Sequence, residues 1–140
     1  MRIGHAATTL AVASGGALGA LARYGLSLGM PHRSGEFPWA TFVTNVAGCA
    51  MIGVLMVVLT EAATRPHPLA RPFLGVGVLG GFTTFSTYAV EVQQLLAAGQ
   101  AWLAAAYLTG TVAIALVAVQ VGVVTTRVIA RALRRTGDGS

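Results

Sequence analysis

The chain has 140 residues, 55% hydrophobic and only 9% charged, against about a quarter charged in an ordinary soluble domain, which excludes a water-soluble globule. Its formal charge of +5 includes nine basic residues, all arginine, that flank apolar runs; this is membrane-orienting charge rather than a nucleic-acid surface. No Ser/His/Asp set, paired-cysteine motif or phosphate-binding loop is present, Cys49 has no intrachain partner, and His5, His32 and His67 are scattered, so neither an enzyme nor a histidine metal site is expected.

The first predicted span covers about residues 6–28. Arg2, an apolar stretch and Ala20-Leu21-Ala22 also have the outline of a cleaved signal peptide, the less favoured reading. Gly15 and Gly19 form a small-xxx-small pair that lets helix backbones approach closely. Arg23 lies four residues after Gly19 and shares that face, pointing at protein; snorkelling to the interface is the other reading. Gly29 to Pro38 is dense in turn residues and is expected to be a short loop.

The second span covers about residues 38–60, with Trp39 placed as an interfacial anchor. Thr41, Asn45, Gly48 and Ile52 fall on one helical stripe. Taken alone, Asn45 is more often interhelical glue than a ligand-binding group. Pro66, Pro68 and Pro72 then prevent helix continuation through the second loop.

The third span, about residues 70–98, contains Gly80-Gly81-Phe82-Thr83-Thr84-Phe85-Ser86-Thr87-Tyr88. Two glycines followed by two β-branched threonines make poor α-helix, so a break near the midplane is expected. Lipid cannot satisfy freed backbone groups, and such a break is tolerated only where protein or a polar cavity receives them. Glu91 follows Tyr88 by three residues and, if the helix resumes, looks toward the aromatic face; solvation near the span's end is the bland reading. The fourth span covers about residues 101–126, where Tyr107 and Thr111 put two hydroxyls on one face. Residues 127–140 form a basic cytoplasmic tail suited to anionic headgroups, ending in a disordered Gly137–Ser140. The fold class is therefore an all-α membrane protein, one four-helix domain.

The break gathers neutral donors (Asn45, Thr83, Thr84, Ser86, Thr111, with Tyr88 and Tyr107) beside aromatic rings. Ring edges carry the positive end of the quadrupole and can face an anion. A permeation path must replace hydration yet release the ion, which such groups do better than an arginine cage. The chemistry favours a small-anion path, with a cation on bared carbonyls as the second reading, and does not name the ion.

The chain resembles the Fluc (CrcB) fluoride channels from Gly15 to about Arg127, on three motifs in order: Gly15-Gly16-Ala17-Leu18-Gly19-Ala20-Leu21-Ala22-Arg23-Tyr24, Thr41-Phe42-Val43-Thr44-Asn45-Val46-Ala47-Gly48, and the Gly80–Tyr88 stretch. The resemblance implies an antiparallel, dual-topology dimer with two narrow pores and passive fluoride efflux across a bacterial plasma membrane. It implies a central structural sodium ion on the backbone carbonyls of Gly80 and Thr83. Asn45 matches the pore asparagine, Phe85 the first paired pore phenylalanine, and Ser86 a hydroxyl near them, with Thr84 on the same path. Tyr107 and Thr111 resemble the start of the fourth helix's polar track, Glu91 the acidic residue beside the pore, and Arg23 a structural or vestibule group. Two positions depart from the pattern: Tyr88 replaces the second phenylalanine, and Ala115 stands where another hydroxyl is expected.

A small exporter of cationic compounds needs an acid deep in the bundle, where Glu91 is the only candidate and lies past the break; a structural membrane subunit leaves the break unexplained. With four spans, Arg2, Arg65, Arg71, Arg127, Arg131, Arg134 and Arg135 fall on one side and Arg33 alone on the other, which favours cytoplasmic termini. Such a bias favours pairing with an oppositely oriented paralogue over a dual-topology homodimer.

Overall fold

The structure, a computed structural model, describes residues 4–62 and 66–137. Arg2, Arg65 and residues 138–140 lie outside them, as does the side chain of Arg135. The described residues are helical with no strand, and four stretches are long and apolar enough to cross a membrane: His5–Gly29, Trp39–Glu61, Arg71–Ala97 and Ala101–Arg134.

The first helix is His5–Gly29; the second is Trp39–Val57, prolonged by a π-helical turn, Val58–Ala62. The third stretch has an entering half, π-helical over Arg71–Leu79 and α-helical over Gly80–Phe82, and a leaving half, Phe85–Ala97. Pro72 sits in the entering half's first turn, where a missing N–H costs little. Gly99, at φ 74°, turns the chain out of the leaving half, and Gln100 N–H then bonds back to the Leu95 carbonyl. The fourth helix does not stop where the uncharged residues end; it runs from Ala101 to Gly137 and carries the basic tail as helix.

Glycines set which helices meet. A Cβ at Gly15 would lie 3.0 Å from the Val78 nitrogen, and one at Gly77 would lie 2.9 Å from the Gly15 Cα. A Cβ at Gly81 would overlap the Gly16 carbonyl. The first helix and the entering half thus pack backbone to backbone, with Gly77 against Gly15, Gly81 against Gly16, and Gly19 against Val78 and Phe82. A second seam joins Gly53 of the second helix to Val119 and Val123 of the fourth, and Gly122 to Ala50. Trp39 and Trp102 are exposed near span ends, as interfacial anchors require.

The two ends of the bundle differ in charge. Glu61, at the end of the second stretch, pairs with Arg127 of the fourth helix. At the other end Gly35 lies against Ala98 and Gln100, placing the loop that carries Arg33 and Glu36 beside the third connection.

Candidate functional site

Thr83 and Thr84 have extended backbone between two helical segments. The Thr84 N–H, which an unbroken helix would give to the Gly80 carbonyl, donates instead to Asn45 Oδ1 at 2.8 Å. Asn45 Nδ2 donates to the Thr84 carbonyl at 3.0 Å, so one carboxamide satisfies both backbone groups of one residue. Asn45 is therefore a backbone clamp, with one N–H left over. Thr84 also caps the leaving half: its Oγ1 accepts the Thr87 N–H at 3.2 Å and lies 3.3 Å from Ser86 Oγ.

The entering half is closed by other means. Thr83 Oγ1 and N–H both donate to the Leu79 carbonyl, at 2.9 and 3.0 Å. Arg23 Nε donates to the Gly81 carbonyl at 3.2 Å, so the arginine points at protein and sits where a helix C-terminus favours a cation. Gly80 is exposed on the bundle's surface and has lost its helical donor to Asn45.

Two hollows meet at Thr84. The first is an open groove of about 330 Å³ walled by Asn45, Thr83, Thr84, Phe85, Tyr88 and Thr111, with Cys49, Ala115 and aliphatic side chains completing it. Phe85 is 79% exposed, whereas Tyr88 is buried and its ring lies between Phe85 and Tyr107, at centroid distances of 5.9 and 5.1 Å. The added Tyr88 hydroxyl has a partner, the Leu108 carbonyl at 2.5 Å. Thr111 is 4% exposed, and its hydroxyl has no hydrogen-bond partner. A buried unsatisfied hydroxyl costs about 1–3 kcal/mol, so a ligand or water that meets it has something to gain. Ala115 lines the groove without a polar group.

The second hollow, about 440 Å³, is walled by Arg23, Tyr24, Ser27, His32, Thr41, Thr87 and Glu91, among others. Glu91 is buried rather than solvated; its carboxylate accepts from Thr41 Oγ1 and the Tyr107 hydroxyl, each at 2.7 Å, with His32 Nε2 at 4.0 Å. Buried carboxylates need such donors to offset lost hydration. Tyr107 is fully buried and bound to Glu91, so it does not wall the groove with Thr111. Ser86 is exposed on the leaving half's first turn and walls neither hollow.

The structure thus brings Asn45, Thr84, Phe85, Tyr88 and Thr111 to one groove, and Arg23 and Glu91 to another, joined through Thr84. Sequence reasoning gave no role to His32, nor to Thr41 as a partner of Glu91. Thr41 carried a signal, since it shares the helical stripe of Asn45 and Gly48, and these three face the third stretch: Thr41 on Glu91, Asn45 on Thr84, Gly48 under Thr83. Among the described residues no group of three His, Cys, Asp or Glu is placed to hold a metal, so a cation here would rest on carbonyl oxygens.

Residues 10–123 match the family model described as CrcB-like protein, Camphor Resistance (CrcB). Over 129 residues the chain is 54% identical to the fluoride-specific ion channel FluC 2 of Nocardia farcinica, covering 92% of this chain and 91% of that protein. It is 58% identical over 109 residues to the fluoride-specific ion channel FluC 1 of Streptomyces coelicolor, covering 77% and 70%. It is 41% identical over 121 residues to the fluoride-specific ion channel FluC of Nitrobacter winogradskyi, covering 86% and 95%.

Proposed function

The chain belongs to the CrcB family, and on that premise we propose that it is a multi-pass fluoride channel of a bacterial plasma membrane, lowering cytoplasmic fluoride by passive efflux. The observation that carries this reading is the groove in which Thr111, Asn45 and the Phe85 ring converge, with the Thr111 hydroxyl buried and unpartnered. Fluoride holds its water tightly, and closely spaced neutral donors and ring edges replace that shell without trapping the ion. In this reading Phe85 offers an edge, Thr111 and the free Asn45 N–H donate, and Thr84 leads toward the hollow of Arg23 and Glu91. Ser86 and Tyr107 act from beside the path, Ser86 through Thr84 and Tyr107 by holding Glu91. A cation-exporter reading is less supported, because the Glu91 carboxylate is already bound by two hydroxyls.

The groove is open in a single chain and Gly80 is exposed, which supports a dimer whose interface completes the pores, with the helix break at mid-membrane. An antiparallel partner would bring a second set of break carbonyls to those of Gly80 and Thr83. The Gly80 carbonyl, deprived of its helical donor, fits a structural sodium ion held by oxygen ligands alone.

Reconstituted vesicles test the ion and the site together. Fluoride is expected to leave and chloride to stay, Phe85→Ile is expected to slow fluoride at least about tenfold with assembly intact, and omission of sodium is expected to slow transport. Equal leakage of both halides would overturn the reading; unchanged flux in Phe85→Ile would remove Phe85 from the path, and sodium-independent flux would remove the ion.

The charged ends support an orientation. Arg127, Arg131 and Arg134 share one end with Glu61, which supports a single cytoplasmic orientation of the termini and an oppositely oriented paralogue as partner. A reporter fused after Ser140 is expected to signal from the cytoplasmic side alone. Comparable signals from both sides, or a working channel from this chain alone, would restore the homodimer. Vesicles made with and without the paralogue separate failure of pairing from failure of selectivity.

A further inference from the structure

We propose that the charged end of the bundle holds the phosphate of an anionic phospholipid headgroup, with Arg131 and Arg134 as its ligands. At about 1.5 Å per residue the 37-residue fourth helix is about 55 Å long, well beyond a hydrocarbon core of about 30 Å. The surplus is the arginine-bearing extension, beginning where the uncharged residues end at Thr126. Arg127, Arg131 and Arg134 recur at helical spacing, and all three wall one small hollow, about 90 Å³, with Val57, Glu61 and Ala130.

Charge in this hollow is not balanced. Arg127 forks onto the Glu61 carboxylate, Nε at 2.9 and 3.0 Å and Nη2 at 2.6 Å, which consumes the single acid. Arg134 Nη2 donates to the Glu61 backbone carbonyl at 2.6 Å, fixing its guanidinium without neutralising it. The Arg131 guanidinium makes no hydrogen bond or close ion pair with the described residues and feels Glu61 only through its field. Among the described residues the hollow therefore holds three guanidiniums against one carboxylate, whose field all three share, and the excess positive charge sits on planar guanidinium forks that match phosphate oxygens. The extension also exposes Val128, next to Arg131 on the helix, and Ile129 and Leu133 on its opposite face, so the arginine-bearing turns carry apolar surface that suits acyl chains and that a soluble phosphate would leave uncovered. The occupant is thus a lipid of anionic headgroup, and its binding holds this end of the bundle on an anionic leaflet. The inference rests on the membrane-spanning architecture and not on the permeant ion.

Native mass spectrometry of the purified full-length protein with equal dioleoyl-phosphatidylglycerol and dioleoyl-phosphatidylcholine tests it. Phosphatidylglycerol is expected to be retained about fivefold or more over phosphatidylcholine, the ratio for one arginine near an anionic surface. Arg131→Gln, which breaks no side-chain hydrogen bond to the described residues, is expected to erase most of that preference, and Arg134→Gln to weaken it; Arg33→Gln, at the other end, is expected to leave it intact. Equal retention of both lipids, or an undiminished preference in Arg131→Gln, would overturn the proposal. Displacement of the lipid by millimolar inorganic phosphate would overturn it in favour of a soluble-anion site.

Discussion

Asn45→Ala is expected to lose fluoride efflux by more than about tenfold and to lower stability by about 2–4 kcal/mol, the cost of leaving two backbone groups unsatisfied. Both groups belong to Thr84, whose N–H and carbonyl are matched by the two ends of the Asn45 carboxamide. Without that match the Thr84 N–H can return to the Gly80 carbonyl and extend the entering half, which would move Thr83, Thr84 and Phe85 together. Asn45→Asp separates the two roles. It keeps an acceptor for the Thr84 N–H, so it should be more stable than the alanine variant, yet its carboxylate stands in the groove proposed as the anion path and should transport no better. Thermal unfolding and efflux on the same preparations check both parts. Full transport by the alanine variant would show that the clamp is dispensable.

Gly19→Ala is expected to prevent assembly of the folded bundle, although it adds a single methyl group to an apolar helix. A Cβ at Gly19 would overlap the Val78 carbonyl oxygen and lie 2.7 Å from the Phe82 nitrogen. Both obstacles are backbone, which cannot turn aside as a side chain can. Overpacking usually costs about 1–3 kcal/mol, and a rigid neighbour puts this site at or above the upper end. The displaced segment is also the one that Arg23 and Asn45 hold, so the damage reaches the break. Gly16→Ala is the matched control, because its Cβ would find only the Gly77 carbonyl, 4.0 Å away. Size-exclusion profiles should be normal for Gly16→Ala and aggregated for Gly19→Ala. A normal profile and normal efflux for Gly19→Ala would refute the seam.

These two sites differ in how far the sequence reveals them. The small-xxx-small pair at Gly15 and Gly19 is visible as a pattern, but its partner is not. Gly77 and Gly81 have the same spacing, yet only packing shows that Gly77 meets Gly15, Gly81 meets Gly16, and Gly19 meets the backbone of Val78 and Phe82. Tyr88 is similar: its ring is legible as a departure from a phenylalanine, while the acceptor for its hydroxyl is the Leu108 carbonyl, twenty positions away.

Sequence alone determines the four apolar stretches and that the third is interrupted near its glycines and threonines; the glycines themselves, Gly80 and Gly81, stay helical, and the extended residues are Thr83 and Thr84. These follow from demands that each segment meets by itself: lipid requires long uncharged runs, and glycines followed by β-branched threonines weaken a helix locally without fixing which residue leaves it. It also determines the family, since three motifs stand in order along the chain. Tertiary structure alone decides what each polar group does. Asn45 is 39 positions from Thr84, Thr41 is 50 from Glu91, and Arg23 is 58 from Gly81. A donor in an apolar helix must find an acceptor, but periodicity fixes only the face it occupies and not the chain across from it. That is why Glu91 proves buried and bound, and why Tyr107 turns from the groove to that carboxylate. It is also why the basic tail becomes a helix that reaches Glu61: its arginines have a partner that no local pattern could supply.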